Sequence, residues 1–201
     1  MTASTTLRDV IGLDGRLPRL AGTTLIMIDF QNTYRTGVMA LDGAEPALAA
    51  GARLLAAARA AGTPVVHIVN DGGAGTPYDI RARIGAISDE VAPAEGEHVV
   101  VKRFPDAFHD TGLEKILRDL GAGPDLVLAG FMTHMCVTFT AQGAFNRGYR
   151  PTVVAEATAT RPLTAPDGTL VPAAVLQAAS LTTVTDLFGT VAPTVDDLLG
   201  S

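Results

Sequence analysis

The stretch Asp125-Leu-Val-Leu-Ala-Gly-Phe-Met-Thr-His-Met-Cys-Val-Thr-Phe-Thr-Ala141 decides the fold. Leu126 to Ala129 reads as a buried strand that stops at Gly130. After a tight turn the chain re-emerges as a helix whose first turn carries Cys136, the only cysteine in the protein. Thr133 has the chemistry of an N-cap, and Phe139, Gly143 and Gly148 fit a helix packed on one side and closed by glycine. The first N–H groups of a helix lack intrahelical partners and form the positive end of its dipole, so a sulfur placed there is favoured as thiolate. A lone cysteine also packs well as a small hydrophobe. The rest of the chain has to decide between the two readings.

Upstream, Thr23 to Asp29 is an apolar run ending in a carboxylate, the pattern of a central strand in a parallel sheet. An ionised carboxylate beside a buried strand needs a partner or a task, although an Asp can also cap a turn. Asp42 to Gly62 reads as a helix with Pro46 in its first turn, Leu54 and Leu55 inward and Gly62 as the stop. Pro64 to Asn70 is a second strand. Residues 71 to 96, with Gly72, Gly73, Gly75, Pro77, Tyr78, Asp79 and Arg81, are irregular and read as a substrate-side or interface loop. His98 to Lys102 is a third strand, ending in one of only two lysines among fifteen basic residues. A chain that otherwise uses arginine places an ammonium there. Thr111-Gly-Leu-Glu114 has capping-box form, followed by a helix with Leu113, Ile116, Leu117 and Leu120 inward and Gly121 at its end. Downstream, Arg150 to Val154 is a fifth strand. Leu181-Thr-Thr-Val-Thr favours strand by propensity, but the apolar spacing from Val171 supports a helix to about Phe188. Thr190 to Ala192 is a short last strand before a terminal helical turn.

Strands alternating with helices predict an α/β fold of three layers, α/β/α, around an open, mainly parallel six-stranded sheet. Residues 1–20 form an N-terminal arm and 21–201 a single domain. In such sheets ligands sit at the carboxyl ends of the strands. Asp29 and Lys102 fall at two such ends, and Cys136 lies just past a third.

Composition narrows the partners. The 201 residues are 47% apolar and 18% charged, with a formal net charge of −6. An acidic chain without Lys/Arg clusters argues against a nucleic-acid surface, and no apolar run approaches a membrane span. The first residues lack the basic-then-apolar pattern of a secretory leader, and a single cysteine fits a reducing cytoplasm. The expected partners are a small-molecule substrate and a second copy of the chain.

Three motifs resemble those of the isochorismatase-like cysteine hydrolases, the superfamily that includes N-carbamoylsarcosine amidase and nicotinamidases. They are Ile28-Asp29-Phe30-Gln31-Asn32; Gly96-Glu97 followed by Val101-Lys102-Arg103-Phe104-Pro105-Asp106-Ala107-Phe108 and Thr111; and Gly130 to Val137. They stand in family order and spacing from about residue 22 onward. The resemblance implies strand order 3-2-1-4-5-6, a homo-oligomer (dimer or tetramer) and a catalytic triad of Asp29, Lys102 and Cys136. Asp29 accepts the Cys136 proton, Lys102 holds the pair, and the sulfur attacks a carbonyl carbon. The oxyanion then rests against the N–H groups of Met132 and Cys136, at a turn where the family has a cis peptide, here Phe131–Met132. No cofactor is implied. Phe30, Gln31, Tyr34, Phe104, Phe108 and Phe131, with Met132, are candidates to line a substrate pocket, and each could equally be core.

Two departures from the family patterns matter. Asn70-Asp71-Gly72-Gly73 follows the second strand where nicotinamidases carry Asp-x-His and further histidines. His67, His98, His109 and His134 show no ligand spacing, so no metal is expected. Isochorismatases, which hydrolyse a vinyl ether, typically have glycine where Cys136 stands. The expected activity is therefore cleavage of a C–N bond in a small amide, carbamoyl or lactam-like substrate through a thioester. The alternatives are vinyl-ether hydrolysis with Asp29 as acid and, in another class, a non-catalytic relative that senses redox state through Cys136.

Overall fold

In the computed structural model, which describes residues 4–199, a six-stranded sheet is built from the apolar runs. It comprises β1 (Thr24–Ile28), β2 (Val65–Asn70), β3 (His98–Lys102), β4 (Asp125–Phe131), β5 (Arg150–Ala159) and, at its far edge, Thr190–Ala192. Between β5 and that edge strand lie β6 (Leu163–Thr164) and β7 (Leu170–Val171), a small antiparallel hairpin, so the edge strand is β8. The sheet order is β3-β2-β1-β4-β5-β8, which is 3-2-1-4-5-6 counted within the sheet, and every pairing in it is parallel.

The helices cover both faces. β1 is buried throughout, and its residues alternate between two cores. Leu25 and Met27 face a core with Leu48, Leu54 and Leu55 of α2 (Ala44–Ala60). Ile26 and Ile28 face a second core with Leu113 and Leu117 of α3 (Leu113–Asp119) and Ala141 and Ala144 of α4 (Thr138–Phe145). The latter face also receives Leu181 of α5 (Ala173–Thr183). Gly51 lets α2 lie close to the sheet, because a Cβ there would run into the Phe30 ring. The arm carries a single helical turn, α1 (Leu7–Val10), tied to the body where the Leu7 N–H donates to Asp186 Oδ1 at 3.0 Å. Residues 1–3 of the arm lie outside the described residues. The last element among the described residues is α6 (Asp196–Leu199). No described helix is long and apolar enough to cross a membrane.

Several local expectations are corrected. Thr111 does not close a capping box: its hydroxyl donates to the Ala107 carbonyl and accepts from the Leu113 N–H, and Gly112 occupies the cap. Thr133 is not an N-cap either. Residues Thr133–Val137 wind as one wide π turn that runs straight into α4, and the Met132 carbonyl accepts from both Met135 and Val137 N–H. Phe139 is exposed rather than packed inward. β5 continues past Val154 to Ala159 by way of an irregularity opposite Leu128 and Gly130 of β4. The helix from Ala173 ends in a second π turn, Val184–Phe188, where packing of Val184 and Phe188 on the second core overrides the strand propensity of the threonines.

Candidate active site

Asp29 is the first residue beyond β1, with φ of 49°, in the left-handed region that a side chain adopts at some cost. Two contacts hold the bend: the Asp29 N–H donates to Ile68 O at 3.0 Å, and the Gln31 N–H donates to Asp29 O at 2.7 Å. Gln31 fastens the bend to the next strand. Its Nε2 donates to Asn70 O at 3.0 Å and Gly85 O at 2.6 Å, while its Oε1 accepts from Asn70 N at 3.0 Å. The Gln31 amide is thus engaged with backbone on three sides. Lys102 ends β3 in register with Asn70, and its side chain is fully buried.

These bends bring three side chains together. Lys102 Nζ stands 2.7 Å from Asp29 Oδ2 and donates to Cys136 Sγ at 3.2 Å. Asp29 and Lys102 have no solvent-exposed side-chain surface, and Cys136 is 7% exposed. The contact with Lys102 is an ion pair without hydrogen-bond alignment, so both Asp29 oxygens keep lone pairs unengaged. One ammonium therefore serves two acids.

Burial raises the Asp29 pKa against the pull of Lys102. Burial works against the Lys102 charge, yet the Asp29 carboxylate and the Cys136 sulfur together raise its pKa. Burial, and then the Asp29 charge, push the Cys136 thiol up to about 12, with Lys102 opposing. This differs from the thiolate expected of a helix start. The wide π turn sets the sulfur in a dry interior beside a carboxylate, and desolvation outweighs the dipole.

The residues predicted to line a pocket divide into two groups. Phe30, Tyr34 and Phe131 form an edge-to-face cluster, with ring centroids 4.9 Å apart for Phe30–Phe131 and 5.6 Å for Tyr34–Phe131. Asp29 and Cys136 both act on the Tyr34 phenol, which burial holds well above its ordinary value. Phe104 is exposed, edge-on to His109. Phe108 stacks on Tyr149 beneath Arg147, in the second core. The Phe131–Met132 peptide is cis. Of the histidines, His67 bonds Glu97 Oε2 at 2.8 Å and His134 Nδ1 bonds the Thr160 hydroxyl.

The irregular segment supplies a residue not singled out for the pocket. Tyr78 meets Tyr34 at 5.8 Å between ring centroids and lies within the electrostatic reach of Asp29 and Cys136. The loop is tied down by Arg81, which pairs with Asp71 and Asp79. Because β5 runs to Ala159 and not to Val154, Thr160 and Arg161 stand at its carboxyl end.

Comparison with known proteins agrees with this architecture. The Isochorismatase domain matches residues 23–194, and the chain belongs to this family of hydrolases. It is 33% identical over 190 residues to the secreted isochorismatase effector Isc1 of Verticillium dahliae, covering 94% of this chain and 97% of that protein. The structure of an isochorismatase from Pseudomonas putida KT2440 superposes with a TM-score of 0.92 at 39% identity, covering 96% of this chain and 99% of that one. N-carbamoylsarcosine amidase from Thermoplasma acidophilum superposes with a TM-score of 0.71 at 26% identity, covering 89% and 99%. The family's relatives thus include an enzyme named for amide cleavage.

Proposed function

We propose that the protein is a cysteine-nucleophile hydrolase that cleaves a C–N bond of a small amide, carbamoyl or lactam-like molecule. The observation that carries this reading is the buried Lys102 ammonium, 2.7 Å from Asp29 and 3.2 Å from the Cys136 sulfur. The Cys136 proton passes to Asp29 as Sγ bonds to the carbonyl carbon, and Lys102 stabilises the negative charge wherever it rests. The N–H groups of Met132 and Cys136 are assigned to the oxyanion. Collapse breaks the C–N bond, and the amine leaves with the proton held by Asp29. Asp29 then takes a proton from water, which attacks the thioester. The acid departs, and the proton returns to the sulfur. Each turnover consumes one water, and no cofactor enters these steps. Phe30, Tyr34 and Phe131, with Tyr78 from the loop, are assigned to substrate contact.

Trapping under turnover is the direct test. An amide substrate that yields an acyl mass adduct on Cys136, lost in Cys136→Ala together with activity, supports the reading; full turnover by Cys136→Ala contradicts it. The isochorismatase names of the relatives favour a second reading, vinyl-ether hydrolysis with Asp29 as acid. In that case Cys136→Ala stays active on isochorismate. Redox sensing is poorly served by a buried thiol whose pKa is pushed up to about 12, since the thiolate is the form that peroxide oxidises. We further assign the enzyme to the reducing cytoplasm, on the ground of its unpaired thiol, and to a homo-oligomer. The exposed valines Val99 and Val101 on edge strand β3 support the latter.

A further inference from the structure

The N-terminal arm does not pack flush on the body. A cleft of about 180 Å³ separates Arg8 and Asp14 of the arm from Phe145, Tyr149 and Phe188 of the body, with Arg150 beside them. A second cleft, of about 240 Å³, shares Arg8, Asp14 and Arg150 and reaches Asp125 and Thr152. Packed segments interdigitate and leave few gaps larger than a water molecule. This gap is larger, and its walls are of two kinds.

On the body side stand three half-buried rings. Phe145 and Phe188 meet edge to face with centroids 6.0 Å apart, and Tyr149 stacks on Phe108 at 5.9 Å. On the arm side stands Arg8, also half-buried. Its Nη1 donates to the Leu187 carbonyl at 3.4 Å and its Nη2 to the Asp14 carbonyl, so two of its five N–H donors are used, both on uncharged oxygens. No carboxylate among the described residues pairs with it. The other charges of the two clefts are matched: Arg16 pairs with Asp14 at 2.8 Å and Arg150 with Asp125 at 2.6 Å. One positive charge is left over, on Arg8, in a chain whose formal net charge is −6.

A guanidinium held partly out of water with its charge unmatched is costly, and an anion recovers that cost. The rings give a flat apolar solute faces and edges to pack on. At about 180 Å³ the cleft is smaller than the roughly 300–1,000 Å³ that takes a drug-sized ligand, which limits its occupant to one ring and a small charged group. We infer that the cleft under the arm is a second ligand site that takes a small aromatic carboxylate, with the ring among Phe145, Tyr149 and Phe188 and the carboxylate on Arg8. The site is remote from the triad. Asp125 and Arg150 begin β4 and β5, whereas Lys102 ends β3 and Asp29 follows the end of β1 in the same parallel sheet. Occupancy therefore does not depend on Cys136.

Heteronuclear NMR titration of the full chain with benzoate, benzamide and acetate tests this, because the three probes separate ring from charge. Benzoate is expected to shift the backbone amides of Leu13, Phe145 and Tyr149 saturably, and to bind ten times or more tighter than either benzamide or acetate. Arg8→Gln should bring benzoate down to the level of benzamide, whose own affinity stays unchanged. Arg8→Lys keeps the charge and serves if the arm of the glutamine variant detaches; it should retain a smaller benzoate preference. Phe145→Leu should weaken benzoate and benzamide alike. Acetate binding as tightly as benzoate, a benzoate preference that survives in Arg8→Gln or vanishes in Arg8→Lys, or shifts confined to the surroundings of Cys136 would overturn the inference. Cys136→Ala should bind benzoate as the wild type does, and loss of the cleft shifts in that variant would contradict a site separate from the triad.

Discussion

One ammonium, on Lys102, stands against two buried acids, 2.7 Å from Asp29 Oδ2 and 3.2 Å from Cys136 Sγ. Removing it exposes how much it does. Lys102→Met leaves the Asp29 charge buried and unpaired, so urea unfolding should show a loss of about 3–5 kcal/mol. The double variant Asp29→Asn/Lys102→Met removes both charges and should unfold less readily than Lys102→Met alone. Either single substitution should lower kcat/KM by roughly a thousandfold or more, as loss of a proton acceptor or of its positioning cation does. The positions of Asp29, Lys102 and Cys136 were legible because strand ends can be read from apolar runs. The protonation of Cys136 was not. A helix start argues for thiolate, and only the fold reveals that the turn is π-wound and that the sulfur is shut away from water beside Asp29. Phe108 illustrates the same limit, since a motif aromatic carries no mark of which face of the sheet it will join.

At the scale of elements, the site depends on how closely β1 and β4 approach. Gly130 has φ of 133°, and a Cβ built there would collide with the Ile28 carbonyl. Gly130→Ala should therefore destabilise by about 3 kcal/mol or more, combining backbone strain with displacement of the strand that precedes Asp29. A thermal melt close to the wild type's would contradict this. Gln31 ties the Asp29 bend to β2 and the loop through three hydrogen bonds, a buried one to Gly85 O and two part-buried ones with the Asn70 backbone. Gln31→Leu should cost about 2–4 kcal/mol and lower kcat, because Asn70 and Gly85 are left unpaired. The strands and long helices were readable from period and punctuation. Element ends were less so. The true course of β5 hid behind polar Glu156 and Thr158, of which Glu156 bonds Arg53 and the Val195 N–H, so its polarity signals pairing and not exposure.

For the whole molecule, acid sensitivity follows from a cluster that links α2, β2 and the start of β3. Arg59 holds Glu97 down to about 2 from an ordinary 4.5, helped by the Ala94 N–H and by His67. A depressed carboxylate contributes stability that is complete above 4.5 and is lost as pH falls toward about 2. Burial lowers His67 below 6.5, so its contribution is complete above that value and declines first on acidification. Asp29 has the opposite sign, since its raised pKa favours the folded state once it is protonated. The melting temperature should therefore begin to fall below about pH 6.5 and fall further below 4.5. In Glu97→Gln the second decline should flatten, with a lower melting temperature at neutral pH. A second decline as steep as the wild type's in that variant would place the acid-labile group elsewhere.

The coupling of Cys136 to Asp29 and Lys102 is tested most directly by the pH dependence of Cys136 alkylation with iodoacetamide in the wild type, Asp29→Asn and Lys102→Met. Because burial and the Asp29 charge raise the thiol while Lys102 lowers it, the wild type should react slowly at neutral pH, Asp29→Asn should shift the apparent pKa downward, and Lys102→Met should shift it upward. Profiles indifferent to both substitutions, or an upward shift in Asp29→Asn, would contradict a thiol governed by these two partners.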